Sequence, residues 1–333
     1  MRAFFFGAGS SAGTLETWPE RPPVSTKFGE TLGERYALWE REYPGLAEVV
    51  RHLGRPIEQL SLEDVWTHID YWAKLGAILP SQPQWNPAAV WDLKRVLLRL
   101  YGGSCDRAAS QIPLSDVFTL GDLFSRQIKP GDVLVSFNYD TIVERLAGRY
   151  GHTLIPPGAK ADPRALVLAK PHGSASWRMD WRNRRVLWTE LDNKVAASSM
   201  EESDVGRDQE PLLLGAVPIK SELVREVQRT YFPDVWDVVT AQWQVALRAI
   251  RDADALVFVG YGFPSEDHYG CFLFKQAARS RGVGAPLAVE FYELPDRVSC
   301  VQTAIVDALG LSDVIPEPKG KVTPAPCTAQ PAG

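Results

Sequence analysis

RAFFFGAGSSAG (residues 2–13) is an apolar run that breaks abruptly into glycine and serine. Ala3 to Phe6 show no polar alternation, which is the form of a strand buried on both faces, as in a parallel sheet. Gly7, Gly9 and Ala12 follow with the G-x-G-x-x-G/A spacing of a dinucleotide-binding turn. In that reading Gly7 permits the tight turn, Gly9 lets the backbone approach a pyrophosphate, and small Ala12 allows close packing. Main-chain amides and a helix N-terminus would meet the phosphates. A hydride-transferring enzyme of this type carries an acid on a second strand, about 20 residues further on. Here that segment is TWPERPPVSTKFGE, rich in proline and without a strand pattern, and Glu30 falls in a helical context. Ordinary dehydrogenase chemistry is therefore disfavoured.

Outward from this stretch, residues 27–101 carry helical periodicity. Ser61 with Glu63 and Asp64 reads as an N-cap opening SLEDVWTHIDYWAKL, where Leu62, Val65, Ile69, Trp72 and Leu75 share one face. Pro87 opens PAAVWDLKRVLLRLYGG, and Gly102 stands as its stop signal. Strand signals return in PGDVLVSFNYD, ALVLAKPHGS, DALVFVGYGFPSED and PLAVEFYELPD, the last three separated by helical or irregular segments. Residues 180–209 read as a hairpin-like excursion followed by a mobile loop, whose acids Glu201, Glu202 and Asp204 could form a lid. The alternation of strand and helix predicts an α/β fold: a Rossmann-like, doubly wound parallel sheet with a helical insertion subdomain after the first strand. The expected organisation is a single domain over residues 1–315. Its core comprises residues 1–16, 130–178 and 232–315, with the insertion at 27–128 and the variable excursion at 179–230. Residues 316–333, rich in proline, alanine and threonine, are expected to be a disordered tail.

Composition narrows the partners. The 333 residues are 45% hydrophobic, enough to build a sizeable core, and carry a formal net charge of -5. No basic field favours nucleic acid or an anionic membrane, so neither is expected as a direct partner. Cys105, Cys271, Cys300 and Cys327 form no C-x-x-C pair, which argues against a zinc ribbon or a disulfide framework and for a reducing cytoplasm. No apolar stretch reaches about 18 residues, and no targeting or anchoring segment is expected. His52, His68, His152 and His268 have no ligand partners at metal-binding spacing, and no metal is expected.

The residues suited to chemistry lie just beyond strand signals. Asn138 and Asp140 follow the VLVSF run and His172 follows the next strand, so a parallel sheet would bring all three to one edge. A carboxylate can stabilise an oxocarbenium-like state, a carboxamide can orient water or a ribose hydroxyl, and an imidazole can move a proton. The blander reading makes Asn138 and Asp140 Asx turns and His172 the partner of a loop carbonyl. A serine hydrolase using Ser10, Ser11 or Ser174 with His172 is a weaker alternative, since no G-x-S-x-G elbow is present. Trp177 and Trp181 beside the HGS motif read as packing rather than stacking platforms.

GAGSS, SFNYDT, KPHGSASW and VGYGFPSEDHYGCFLF occur in this order over residues 2–296, and together they resemble SIR2-like, sirtuin-related domains, including bacterial NAD-hydrolysing anti-phage effectors. The resemblance implies that Gly7, Ala8, Gly9, Ser10 and Ser11 hold the NAD diphosphate. It implies catalytic roles for Asn138, Asp140 and His172, and counts Ser174 among the residues that bind NAD. It places Gly260, Tyr261 and Asp267 in a loop near the adenosine side and lets Glu293 approach the adenine ribose, although a solvated strand-end acid is an equal reading of Glu293. The chain lacks the four-cysteine zinc module of the protein deacylases and their continuation of the first loop. NAD is therefore expected as a substrate, cleaved to nicotinamide and ADP-ribose by an NAD+ glycohydrolase in anti-phage defence. Such an enzyme implies activation by a partner protein or by self-assembly into a homo-oligomer. The alternatives are a non-catalytic NAD- or ADP-ribose-binding regulatory module and an NAD-dependent deacylase without zinc.

Overall fold

Apolar runs become strands in the order expected. The computed structural model describes residues 1–14, 23–78, 88–103, 119–157, 162–180, 185–188, 209–213, 233–264, 267–281, 287–293, 297–310 and 315–321. Among them lie β1 (Arg2–Phe6), β2 (Val133–Ser136), β3 (Leu154–Ile155), β4 (Leu166–Ala169), β5 (Gly173–Asp180), β6 (Arg185–Trp188), β7 (Gln209–Leu213), β8 (Ala255–Val259), β9 (Ala288–Glu293) and β10 (Glu317–Lys321). Seven of them form one sheet in the order β10-β9-β8-β1-β2-β4-β3. Every pairing in it is parallel. The chain is thus α/β, a doubly wound Rossmann-like sheet with β1 at its centre. The strand order reverses between β1 and β8, and crevices at such switch points open at the carboxyl ends of strands.

Alternate side chains of each strand feed two cores. Ala3, Phe5, Val135, Ala169, Phe258 and Phe291 pack on one face with residues of the helices Pro233–Asp252, His268–Arg279 and Val298–Leu309. Phe4, Phe6, Leu134, Leu168, Val257 and Val259 pack on the other with Leu123, Phe124 and the helix Ile142–Arg149. The three phenylalanines of β1 are fully buried, each contributing about 2 kcal/mol of hydrophobic stabilisation. This two-sided burial is why β1 reads as an unbroken apolar run.

Between β1 and β2 the described residues are mainly helical. Ser61 and Asp64 form a reciprocal capping pair, with Ser61 N donating to Asp64 Oδ2 and Asp64 N donating to Ser61 Oγ, both at 3.0 Å. Leu62, Val65, Ile69 and Trp72 are buried in a third cluster, which also takes in Tyr139 just beyond β2. The helical unit therefore rests on one strand end of the large sheet. After β4 the chain forms a three-stranded antiparallel sheet, β6-β5-β7, whose central strand begins at Gly173, so this separate sheet starts within residues 130–178 expected in the core rather than at 179.

The carboxyl-terminal stretch departs from expectation. Residues 317–321, expected to be disordered, form β10 and pair with β9. Proline suits an edge strand because one side needs no donor, and the pairing is irregular beside Pro318. Pro87, Trp181, the acids Glu201, Glu202 and Asp204, and residues 322–333 lie outside the described residues. No helix among the described residues is long and apolar enough to cross a membrane.

Candidate active site

Register brings the sequence-predicted residues to one edge. Phe6 pairs with both Ser136 and Val259, Val135 with Ala169, and Val259 with Tyr292. The next residues along each strand are Gly7, Phe137, Lys170, Gly260 and Glu293, so all these strands open into the same zone. Asn138, Asp140 and His172 lie just beyond, each at least nine-tenths buried.

The first turn is closed against the β8 loop. Gly7 N donates to Val259 O at 3.1 Å, Gly9 N to Gly260 O at 2.9 Å, and Ser10 N back to Gly7 O at 2.9 Å. A Cβ on Gly9 would stand 2.9 Å from Gly260 Cα, and one on Gly260 only 2.1 Å from Ser10 N. Gly260 also holds φ +57°, a conformation costly for other residues. The glycine spacing read as room for a pyrophosphate is thus used, at Gly9, for contact between two loops of the chain. Two of the first four amides in the Ala8–Thr14 helix are spent inside the protein, and Ala8 itself is exposed.

Asn138 and Asp140 join this turn to β2. Asn138 Nδ2 donates to Gly7 O and to Ser11 Oγ, both at 2.9 Å. Ser11 Oγ donates to Asp140 Oδ2 at 2.6 Å, while Asp140 Oδ1 accepts from Ile142 N at 3.1 Å. The second bond is the Asx-type contact of the blander reading, and it anchors the Ile142–Arg149 helix. Ser10 Oγ donates to Gly7 O at 2.7 Å.

His172 occupies a different environment. Phe137 meets its ring edge-to-face at 5.3 Å, and Trp243 and Tyr139 lie at 6.0 and 6.5 Å. Its Nε2 is buried with no hydrogen-bond partner among the described residues. Asp267 Oδ1 stands 3.5 Å away. Asp267, which the resemblance places near the adenosine, caps the helix His268–Arg279 by accepting from Gly270 N at 3.0 Å, and it accepts from Tyr261 Oη at 3.1 Å. Burial first, and the Asp267 charge second, hold the Tyr261 phenol well above its usual range, so it stays a donor. Glu293 is buried at the end of β9, with Arg297 Nη1 at 4.0 Å.

The sequence reading passed over a buried ion pair behind this edge. Lys170 Nζ donates to Glu144 Oε1 at 2.7 Å, to Ser174 Oγ at 3.0 Å and to Asp140 O. Burial raises the Glu144 carboxyl, and Lys170 opposes that shift. A lysine closing the apolar run ALVLA and an acid among Ile142, Val143 and Leu146 were the available signals. Ser174 is thereby committed to a fully buried network rather than presented as a nucleophile. Among the described residues no group of three or more His, Cys, Asp or Glu is placed to hold a metal ion.

No family model and no curated protein matches the chain. Among solved structures, a mutant Sir2 homologue in complex with 2′-O-acetyl ADP ribose is similar over 94% of each chain, at 15% sequence identity and a TM-score of 0.35. A superposition this loose assigns no residue a role.

Proposed function

We propose that the chain is a SIR2-like NAD+ glycohydrolase that cleaves the nicotinamide–ribose bond. The observation that carries this reading is that Asn138 and Asp140 bond to the turn at residues 7–11 while His172 lies buried just beyond the adjacent strand β4, at the same edge of the parallel sheet. In the proposed reaction nicotinamide leaves with the electrons of the C–N bond and positive charge develops at the anomeric carbon. Asp140 stabilises that charge, Asn138 orients the ribose and the water, and the water oxygen bonds to carbon as its proton passes to His172. The products are nicotinamide and ADP-ribose. The diphosphate is assigned to the turn at residues 7–11, and the adenine ribose to the neighbourhood of Gly260 and Glu293. Free NAD hydrolysis would harm a growing cell, so activity is proposed to await a protein trigger or self-assembly, as suits an anti-phage effector.

A second reading is favoured by one specific observation. The Asn138 side-chain nitrogen and both oxygens of Asp140 are engaged within the protein, as a structural clamp would have them. A non-catalytic NAD- or ADP-ribose-binding module would need no more. Incubating NAD with wild type, Asn138→Ala and His172→Ala, and separating the products by chromatography, distinguishes the two. The enzyme reading expects nicotinamide release by wild type and a loss of at least about 100-fold in both variants, with thermal melts confirming that they fold. ADP-ribose binding by calorimetry without nicotinamide release, in the presence of candidate triggers, would establish the binding module instead.

A further inference from the structure

We propose that Asp267 is a positioning residue for His172, holding the imidazole protonated on Nε2 and leaving the Nδ1 lone pair to meet the substrate. The two side chains come from different strand ends, after β4 and after β8, and only 6% and 3% of their surfaces are exposed. Asp267 Oδ1 is 3.5 Å from Nε2, and the ring's aromatic neighbours Phe137, Trp243 and Tyr139 turn apolar surface toward it. A bare lone pair on Nε2 would face carboxylate lone pairs in a medium of low dielectric, whereas an N–H there is attracted. The ring nitrogen that faces an acceptor keeps the proton and leaves the other bare, and the group facing Nε2 at 3.5 Å is an acid.

The carboxylate is itself built into place. Gly270 N and Tyr261 Oη donate to its two oxygens. A Cβ on Gly270 would lie 2.4 Å from Asp267 Oδ2 and 2.7 Å from Tyr261 Oη, so even the glycine makes room for the pair. Tyr261 in turn stacks on Phe137 at 4.6 Å, the same ring that borders His172. Closing the gap to an ordinary hydrogen bond takes about 0.5 Å, and catalytic contacts commonly tighten by that order when substrate binds. Atoms behind the ring thus define which nitrogen is presented.

The role in turnover rests on the NAD-cleaving reading; the tautomer does not. Protein labelled with 15N-histidine and observed above neutral pH by long-range proton–nitrogen correlation reports the tautomer directly, with the signal assigned by its loss in His172→Gln. The Nε2–H form is expected in wild type, and an Nδ1–H form or an exchanging mixture overturns the proposal. Asp267→Ser keeps a helix cap but is too short to reach the ring. It is expected to lose the tautomer preference and, if NAD is cleaved, to lose about 100-fold in kcat with KM changed less than about 3-fold. Asp267→Asn, which retains an oxygen, should restore the Nε2–H form. A serine variant that keeps the wild-type tautomer overturns the proposal, and absence of nicotinamide release in wild type sinks only the NAD-cleaving reading.

Discussion

At Gly9 and Gly260 two loops far apart in sequence touch backbone to backbone, which makes both positions sensitive to a single methyl group. Gly9→Ala forces a shift against main chain and should cost about 1–3 kcal/mol of stability. Gly260→Ala adds left-handed strain to a 2.1 Å clash and should cost more. Gly54→Ala is the control, because Gly54 has φ +65° but nothing within 4 Å, so only the strain of about 1 kcal/mol remains. Chemical-denaturation midpoints should fall from Gly54→Ala through Gly9→Ala to Gly260→Ala, and equal midpoints for Gly54→Ala and Gly260→Ala would refute the packing argument. The G-x-G spacing was legible at once; its local use was not, since a missing side chain serves a phosphate or a neighbouring loop equally well. Asp267 shows the same limit, because nothing in GYGFPSED says that its carboxylate will meet an imidazole from KPHGS.

Among elements, the buried pair between Lys170 and Glu144 joins the end of β4 to the helix after β2, and Lys170 also holds the Asp140 carbonyl. Removing one partner strands a charge in the core. Lys170→Met should therefore destabilise by about 3–5 kcal/mol, while Lys170→Met with Glu144→Leu should recover much of that loss. Urea titrations of the single and double variants check this, and a double variant no better than the single would show that the pair is not coupled. Strand and helix existence was readable wherever burial imposes a period, as in β1, β2, β8 and the capped helix after Ser61. β10 was not, because its composition signals disorder and its order comes from pairing with β9.

Across the whole molecule, the sheet supplies two cores and the helical unit a third, so its stability draws on separate clusters with different sensitivities. His68 lies in the helical unit 6.2 Å from the His52 ring and 6.0 Å from Trp72. Burial, and then the neighbouring His52, hold its pKa below the ordinary value of 6.5. Between the folded and unfolded values the unfolded chain binds more protons, so stability rises with pH across that window. The contribution is complete above 6.5 and is lost as pH falls through the lower folded value. Thermal melts on either side of that window should show acid destabilisation in wild type and a smaller difference in His68→Leu. An unchanged pH response in the variant would place the sensitivity elsewhere.

The sequence by itself determined the class of fold and the edge at which polar residues gather. Continuous apolar runs report two-sided burial, a glycine turn reports where such a strand stops, and both are local consequences of excluding water. The tertiary structure alone decided which atoms face one another there: Gly9 against Gly260, Lys170 against Glu144, Asp267 against His172. Those pairings depend on strand register and helix docking between segments distant in the chain, and no periodicity within a single segment encodes them.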